Sequence, residues 1–315
     1  PLFSADLISW FSKEDILRSN PERRRGCGAI SKRFARFCQK RRERCSDGNE
    51  ERNMLEIEKA VCGYRRGRRV KKVIEGISMT VEPGEVMCVL GSNGIGKTTL
   101  FRSVLGGIPL LGGTVKIDGA DLSELSIRER ARKIGYVPQS HTPPFPFTAA
   151  QVAVMGRTSH MQTFASASKK DYEIAEEALE LMGVGYLKDE AYTEISGGER
   201  QLVLIARAIA QESDYLIMDE PTSNLDFGNR VRVLRRVRQL AEAGRGVIMT
   251  THDPDHAFAV SSKVTVIKKG GEYLTGDTDE ILTCALMDEI YGIRTGVADT
   301  VAPDGRRVKT AVGYL

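Results

Sequence analysis

The stretch 91–100 reads GSNGIGKTTL and matches the pattern G-x-x-x-x-G-K-[ST]. An apolar segment, EVMCVLG at 85–91, leads into it, and a segment with helical character, KTTLFRSVLGG, begins inside it. A buried strand that turns through glycines into a helix is typical of proteins in which strands and helices alternate around a parallel sheet. The chain is therefore predicted to be an α/β protein.

The glycines of this loop leave room for a phosphate group close to the backbone. Gly91, Gly94 and Gly96 allow the loop to wrap a β-phosphate. Lys97 neutralises the β- and γ-phosphate oxygens, and Thr98 offers its hydroxyl to Mg²⁺. A glycine-rich turn without a ligand is the alternative, and the flanking strand and helix argue against it. The predicted nucleotide-binding residues of the loop are Gly91, Ser92, Asn93, Gly94, Ile95, Gly96, Lys97, Thr98 and Thr99.

Two adjacent carboxylates follow a second apolar segment, YLIMDEP at 215–221. This segment is predicted to be a strand beside 85–91, so that Asp219 and Glu220 reach the carboxyl edge of the sheet, where open parallel sheets bind ligands. Adjacent residues at a strand end point in different directions. Asp219 is therefore predicted to serve Mg²⁺, and Glu220 to act as general base toward an attacking water.

A third predicted strand, GVIMTTHD at 246–253, ends in His252. If this strand is parallel to the others, His252 comes within reach of a γ-phosphate. A structural histidine is the alternative, and the position after a core strand favours a site residue.

The stretch ISGGERQ at 195–201 places a serine and two glycines at the start of a long apolar helix. Free backbone N–H groups and the positive end of a helix dipole make such a start a phosphate site. No lysine, metal ligand or general base stands beside it in the sequence. The helix residues Leu202, Val203, Leu204, Ile205, Ala206, Ala208 and Ile209 are apolar on nearly all sides and are predicted to be buried.

Taken together, these motifs resemble the ATP-binding subunits of ABC transporters. The resemblance rests on GSNGIGKTT, Gln139 in GYVPQS, ISGGERQ, LIMDEP, SNLD at 223–226 and His252, in that order and at similar spacing, and it runs from about Met54 to about Gly292. It implies a P-loop NTPase fold: a RecA-like core with an antiparallel β subdomain and an inserted α-helical subdomain at about 140–213. The helix-period segment 169–184, with Tyr172, Ala175, Leu179 and Met182 on one face, lies inside that interval.

The resemblance also implies roles for individual residues with ATP and Mg²⁺ as ligands. Tyr64 would stack on adenine, an ordinary strand tyrosine being the alternative. Gln139 would touch Mg²⁺ or the attacking water, alongside Thr98 and Asp219. Residues of the 195–201 stretch would contact ATP held by an opposite subunit, and Asp226 would lie at the dimer interface. The residues implied for that contact are Ser196, Gly197, Gly198, Glu199 and Gln201.

The resemblance further implies a homodimer on the cytoplasmic face of the cell membrane. This dimer would bind integral permease subunits, and the permease would receive its cargo from an extracytoplasmic solute-binding protein. The segment 141–160, HTPPFPFTAAQVAVMGRTSH, resembles importers of iron-siderophore complexes, haem and cobalamin, and is predicted to belong to the surface that receives the permease. A solvent loop stiffened by prolines is the alternative for 141–148. Another small-solute or metal-ion transporter is the alternative function.

Other classes of ATPase fit less well. A chromosome-maintenance ATPase of the superfamily would insert a long coiled coil between Gln139 and Ser196, which are 57 residues apart here. A translation factor would carry two cassettes, and a P-loop kinase or GTPase would lack SGGERQ. No nucleic acid partner is expected, because residues 54–315 carry 33 Lys+Arg against 34 Asp+Glu.

The basic charge is concentrated in residues 1–53, which carry 13 Lys+Arg and 8 Asp+Glu. We expect this extension to lie outside the fold, with Met54 as the initiator. A basic arm for phospholipid or RNA is one alternative, and a metal site from Cys27, Cys38 and Cys45 is another. The ATPase domain is predicted at 54–292, beginning with an edge-type strand, and a tail with a small β element at 293–315. The remaining cysteines are predicted to be buried in a reducing compartment: Cys62, Cys88 and Cys284.

Overall fold

The computed structural model describes residues 53–139, 145–162, 165–223, 225–302, 305 and 307–314. The basic segment 1–52, with its three cysteines, and residues 140–144 of the proline-rich stretch lie outside the described residues. The described strands are β1 (Leu55–Arg66), β2 (Arg69–Val81), β3 (Val86–Leu90), β4 (Gly112–Ile117), β5 (Ala120–Asp121), β6 (Ile134–Val137), β7 (Tyr215–Met218), β8 (Gly246–Thr251), β9 (Lys263–Ile267), β10 (Tyr273–Asp277), β11 (Thr295–Val301) and β12 (Arg307–Gly313). The described α-helices are α1 (Lys97–Val104), α2 (Ile127–Lys133), α3 (Ala149–Val154), α4 (Lys169–Leu181), α5 (Gly197–Ala210), α6 (Phe227–Glu242), α7 (Pro254–Val260), α8 (Thr278–Ile281) and α9 (Cys284–Tyr291).

A six-stranded sheet in the order β10-β9-β3-β8-β7-β6 forms the centre of the fold. Five of its strands are parallel, and β10 is antiparallel to β9. Strands β3, β7 and β8 are buried along their whole length, as expected for a sheet covered on both faces. The α/β prediction is confirmed. The prediction that β7 lies directly beside β3 is wrong, because β8 pairs with both strands and lies between them.

Strand β8 therefore brings its carboxyl end between those of the other two strands. The parallel register aligns Leu90 with Thr251 and Met218 with Met249, so all three strands end at the same edge of the sheet. This alignment delivers the phosphate loop, the two carboxylates and His252 to one place.

A second, antiparallel sheet has the order β2-β1-β4-β5. Strand β1, predicted to be an edge strand, pairs with β2 on one side and β4 on the other, so that prediction is wrong. Leu55 and Ile57 are buried as their alternation indicates, whereas Lys59 leaves the pattern at an irregularity, with a φ of 46° and an exposed side chain. The two sheets share one core, which includes Ile57 of β1 and Ile248 of β8.

The chain between β6 and β7 is helical. It contains α3, α4 and α5 with two 3₁₀ turns, Met155–Ser159 and Gly185–Leu187. Helix α4 buries Ala175 and Leu179 of its predicted face, and also Ala178 and Leu181, which were not predicted, whereas Tyr172 of that face is only half-buried. Ser168 begins the helix with a capping box. The layout agrees with the expected helical insertion at about 140–213.

The end of the chain forms a hairpin of β11 and β12 after α9, as the weak alternation of 293–315 predicts. Cys62 and Cys88 are buried as predicted, but Cys284 at the start of α9 is exposed, so the prediction for that residue is wrong. Among the described residues, no helix is long and apolar enough to cross a membrane.

Candidate nucleotide site

The phosphate loop closes around the side chain of Lys97, the first residue of α1. Its ammonium Nζ donates to the carbonyl oxygens of Gly91 at 2.7 Å and Ser92 at 3.3 Å, and only 5% of the residue is exposed. Gly96 precedes the helix with a φ of 115°, and a Cβ there would lie 2.5 Å from Val73 Cγ1. Only glycine fits this position, for reasons of both backbone conformation and space.

The loop forms one wall of a cleft of about 290 Å³. The cleft is lined by Asn93, Gly94, Gly96, Lys97, Thr98, Thr99, Gln139 and Glu220. Six of the nine predicted loop residues therefore line the cleft together with two predicted catalytic residues, whereas Gly91, Ser92 and Ile95 are not part of its lining. Gln139 and Glu220 meet here although they are 81 positions apart in the sequence. These groups are suited to an anion beside a cation. The N–H groups of the loop and the ammonium group can bind the anion, and the hydroxyl, amide and carboxylate oxygens can bind the cation.

Glu220 is the residue on which the other side chains of the cleft converge. Its carboxylate lies 3.4 Å from Lys97 Nζ, accepts a hydrogen bond of 3.1 Å from Gln139 Nε2, and lies 3.5 Å from His252 Nδ1. The backbone of Glu220 has a φ of 44°, a left-handed conformation that is uncommon outside glycine and is concentrated at functional sites. This turn at the end of β7 separates the directions of Asp219 and Glu220.

Thr250 holds this turn in place, and the sequence analysis missed it. Its hydroxyl Oγ1 accepts a hydrogen bond of 2.8 Å from the Glu220 backbone N–H and donates one of 2.8 Å to Asp219 Oδ1. Thr250 and Asp219 are buried. The signal available in the sequence was a threonine near the end of the strand that precedes His252, but its partner could be recognised only once β8 was placed beside β7.

His256 lies behind the exposed His252, in α7. Its ring Nδ1 lies 2.8 Å from Thr251 Oγ1 and 3.3 Å from Thr222 Oγ1, and Nε2 lies 3.3 Å from Asp253 Oδ2. A neutral ring protonated at Nε2 satisfies all these partners, and burial lowers the pKa of His256. This histidine links the chain after β7 to the chain after β8.

Tyr64 lies near the other end of the phosphate loop, on β1. Its hydroxyl is 3.1 Å from Thr99 Oγ1, while 44% of the residue is exposed. It belongs to the lining of a larger cleft of about 1020 Å³ between the β1–β2 hairpin and the chain before β4. That cleft is lined by Gly63, Tyr64, Arg65, Arg66, Arg69, Val70, Lys71, Ile108, Pro109, Leu110 and Leu111. An exposed aromatic face joined to the phosphate loop suits a stacked base.

The 195–201 stretch forms the start of α5 outside the 290 Å³ cleft. Ser196 Oγ accepts from the N–H of Glu199, and Glu199 Oε2 accepts from the N–H of Ser196 at 2.9 Å. Tyr186 donates a further hydrogen bond of 2.8 Å to Glu199 Oε1. These bonds, that of Ser196 first, lower the pKa of Glu199. Glu199 is thus a capping residue of the helix, and the helix behind it is buried as predicted.

The two glycines of this stretch differ in their surroundings. A Cβ on Gly198 would lie 2.6 Å from Asn229 Nδ2, whereas a Cβ on Gly197 would meet no atom within 4 Å. Within the described residues, the buried amide Nε2 of Gln201 has no hydrogen-bond partner. Packing within this chain therefore explains why residue 198 is a glycine. It gives no such reason for Gly197, which is exposed on the surface.

Asp226 begins α6 next to the same stretch. Its carboxylate accepts from the N–H of Asn229 at 2.8 Å and from Asn229 Nδ2 at 2.7 Å, and the backbone hydrogen bond is the main reason that the pKa of Asp226 is lowered. Because Asn229 also borders Gly198, Asp226 and the start of α5 form one continuous exposed region.

The predicted docking segment is partly buried. Arg157 is 6% exposed and binds Asp171 Oδ1 at 3.2 Å, Glu212 Oε2 at 2.8 Å and the Ala210 carbonyl at 2.7 Å. Arg157 therefore joins helices of the insertion, so this part of the segment 141–160 is not on the surface that was predicted to receive the permease. Phe145, which is 63% exposed, is the prominent apolar side chain on the described part of this segment.

Comparison with known proteins agrees with this geometry. The family model described as ABC transporter matches residues 74–223. An ABC transporter ATP-binding protein of Haemophilus influenzae is 38% identical over 238 residues, which are 76% of this chain and 89% of that protein. This chain belongs to the ABC transporter ATP-binding family. It is an ABC ATPase, with the P-loop NTPase fold of that family.

Further relatives of this ABC ATPase carry importer names. A hemin import ATP-binding protein of Rhodococcus jostii is 35% identical over 70% of this chain and 75% of its own length. A molybdate import ATP-binding protein of Haemophilus influenzae is 34% identical over 70% of this chain and 81% of its own. The ATPase also superposes with a TM-score of 0.73 on a metal-chelate type ABC transporter captured in an inward-facing conformation, at 29% identity over 84% of this chain and 98% of that one.

The cleft of the ABC ATPase also has the residues that a magnesium site needs. Mg²⁺ takes oxygen ligands, usually one or two from the protein with the rest from phosphates and waters. Thr98 and Gln139 line the cleft, and Asp219 lies at the end of β7 with one oxygen engaged by Thr250. The residues present therefore fit this ion.

Proposed function

We propose that this ABC ATPase is the energising subunit of an importer for an iron-siderophore, haem or cobalamin-type complex. The observation that carries the ATPase half of the proposal is the convergence of Lys97, Gln139 and His252 on the carboxylate of Glu220. A hemin import relative and a metal-chelate transporter with the same fold support the choice of cargo class.

In the proposed reaction, Glu220 accepts the proton of the water that attacks the γ-phosphate of ATP. Lys97 neutralises phosphate oxygens from within the loop, and its ammonium Nζ lies 3.4 Å from the Glu220 carboxylate, so the base and the phosphate-binding cation stand side by side. Gln139 and His252 orient Glu220 from either side. Tyr64 stacks on the adenine ring and aligns the nucleotide through its contact with Thr99.

Thr98, Gln139 and Asp219 would hold Mg²⁺ with the phosphates. When bound, the ion supplies positive charge that stabilises the phosphoryl group during transfer. Thr250 keeps Asp219 correctly oriented through its hydroxyl, while the same hydroxyl holds the backbone of Glu220.

The start of α5 completes the site of a second copy of the chain. Gly197 is exposed with free space around it, as expected of a surface that receives a ligand held by another subunit. Ser196, Gly197 and Gly198 present the N-terminal dipole of α5 to the γ-phosphate of ATP bound by the other subunit. Asp226 lies in the same exposed region and contributes to the dimer interface.

The dimer acts at the cytoplasmic face of the membrane on a separate permease, which receives cargo from an extracytoplasmic binding protein. The helical insertion, with exposed Phe145, forms the permease contact. Residues 54–292 constitute the ATPase domain, with 1–53 outside it and 293–315 as a C-terminal tail. Helix α9 and this tail together form the C-terminal element. A molybdate import relative favours a second candidate, an importer of an oxyanion or other small solute.

Reconstitution tests both candidates. The full chain is assembled with its permease in vesicles that enclose ATP, and uptake of haem and of molybdate is measured with the cognate binding protein. The proposal expects ATP-dependent haem uptake that Glu220→Gln abolishes and Glu272→Gln, an exposed position outside the insertion, leaves unchanged. Molybdate uptake in place of haem uptake would establish the second candidate, and absence of both would refute an importer of either class.

A further inference from the structure

The C-terminal element contacts the chain around His252 at two separate places. Helix α9 ends at Tyr291, whose hydroxyl donates a hydrogen bond of 3.0 Å to the backbone carbonyl of His252. The hairpin that follows is tied back to α9 by Asp288, which accepts from the Thr295 N–H at 2.6 Å and from Thr295 Oγ1 at 2.8 Å. The end of the chain is therefore a fixed structure beside the nucleotide site.

The second contact is made by β12. The carboxylate of Asp255 accepts a hydrogen bond of 2.6 Å from the N–H of Ala311 and one of 3.0 Å from Thr310 Oγ1. Asp255 is three residues after His252, and its own N–H donates to Asp253 Oδ1 at 3.0 Å. Hydrogen bonds to a carboxylate are stronger than those between neutral groups, so this anchor holds the start of α7 firmly.

The chemistry of Tyr291 suits a permanent donor. Burial, together with the charges of Asp253 and Asp255, raises the pKa of Tyr291, so the phenol keeps its proton at neutral pH and remains a donor. Its acceptor is a backbone atom, so the bond restrains the position of His252 and leaves the imidazole free to face Glu220 at 3.5 Å.

We infer that the C-terminal element positions His252, with Tyr291 as the positioning residue and the anchor of β12 on Asp255 as its support. The inference rests on the proposed role of His252 beside Glu220. The exposed side chain of His252 makes one polar contact among the described residues, that with Glu220. Its placement therefore depends on the backbone that carries it. The C-terminal element thus acts on ATP turnover without touching the nucleotide.

Tyr291→Phe removes the donor and retains the ring. Tyr273→Phe is the matched control, because Tyr273 also donates to a backbone carbonyl, that of Gly76 at 3.0 Å, on the far edge of the sheet. Turnover of radiolabelled ATP by the full chain under single-turnover conditions gives the rate, and titration of ATP gives its affinity. Tyr291→Phe is expected to lower the rate about three- to tenfold, the equivalent of one lost hydrogen bond, with ATP affinity unchanged.

A double-mutant cycle that combines Tyr291→Phe with His252→Ala distinguishes an effect on the position of His252 from a general loss of stability. We expect Tyr291→Phe to have no further effect in the His252→Ala background, and Tyr273→Phe to leave the rate unchanged in both backgrounds. The inference is overturned if Tyr291→Phe does not slow wild-type turnover, or slows it equally without His252. If His252→Ala alone leaves turnover unchanged, the proposed role of His252 fails, and the inference fails with it.

Discussion

Gln139 Nε2 and Glu220 Oε2 are joined by a hydrogen bond of 3.1 Å between the ends of the adjacent parallel strands β6 and β7. Gln139 is also the last described residue before the helical insertion. A displacement of the insertion would therefore be transmitted to Glu220 through one side chain. This contact gives a physical route by which nucleotide hydrolysis and movement of the insertion can be coupled.

Replacing Glu220 by glutamine is expected to abolish most ATP turnover while ATP binding persists. The amide fills the same volume but cannot accept a proton, and loss of a general base costs about 10²- to 10⁴-fold in rate. Phosphate release and ATP titration measure the two quantities, and sedimentation in ATP should show accumulated dimer. Turnover within threefold of the wild-type rate would contradict the role of Glu220 as base.

Thr250→Val is expected to reduce turnover by misplacing both carboxylates. The change is nearly isosteric, yet it leaves the Glu220 N–H without its acceptor and Asp219 Oδ1 without its donor. The free energy of unfolding should fall by about 1–3 kcal/mol because a buried donor loses its partner. Thr265→Val is the control, since Thr265 is equally buried and its hydroxyl bonds Thr275 away from the site. Equal loss of turnover in both variants would argue against a specific role for Thr250.

Gly197→Ala is expected to leave the chain at least as stable as before and to remove ATP-driven dimerisation. A methyl group at this position has free space within the described chain, and alanine in a helix is favoured over glycine by about 1 kcal/mol. Gly198→Ala should instead destabilise the chain, because its methyl group meets Asn229. Thermal unfolding and sedimentation with ATP separate the two effects. Normal dimerisation of Gly197→Ala would place the trans contact elsewhere.

His256 should make stability dependent on pH. Burial lowers its pKa below the ordinary value of 6.5, so the unfolded chain takes up this proton at higher pH than the folded chain. The stability that the neutral ring contributes is therefore present above pH 6.5 and is lost as the pH falls through the lower, folded-state value. Denaturant unfolding of wild type and His256→Gln from about pH 7.5 to about pH 5 should show the wild-type advantage shrinking. An advantage that stays constant across this range would exclude the effect.

Local pattern was sufficient to predict the parts of the site. Three features depend only on neighbours within a few positions, and each occurs where the sequence places it. They are the glycines and lysine of residues 91–98, the carboxylates after an apolar segment and the serine at 196 that begins α5. The prediction that α5 is buried succeeded for the same reason, because a helix that is apolar all round can be stable in water only inside the protein.

Contacts between distant segments decided the rest. The order of the strands placed β8 between β3 and β7, and it made β1 an interior strand. It also gave Thr250 its two hydrogen-bond partners. The hydropathy pattern of a single strand does not indicate its neighbours in the sheet. Arg157 is buried because Asp171 and Glu212 neutralise it, and Cys284 is exposed because α9 turns its first residue outward. The amino-acid sequence by itself determined where the phosphate loop, the two carboxylates and the start of α5 lie along the chain. Only the tertiary structure decided which groups hold them in position, because a hydrogen bond or ion pair between remote residues exists only after the sheet and helices have assembled.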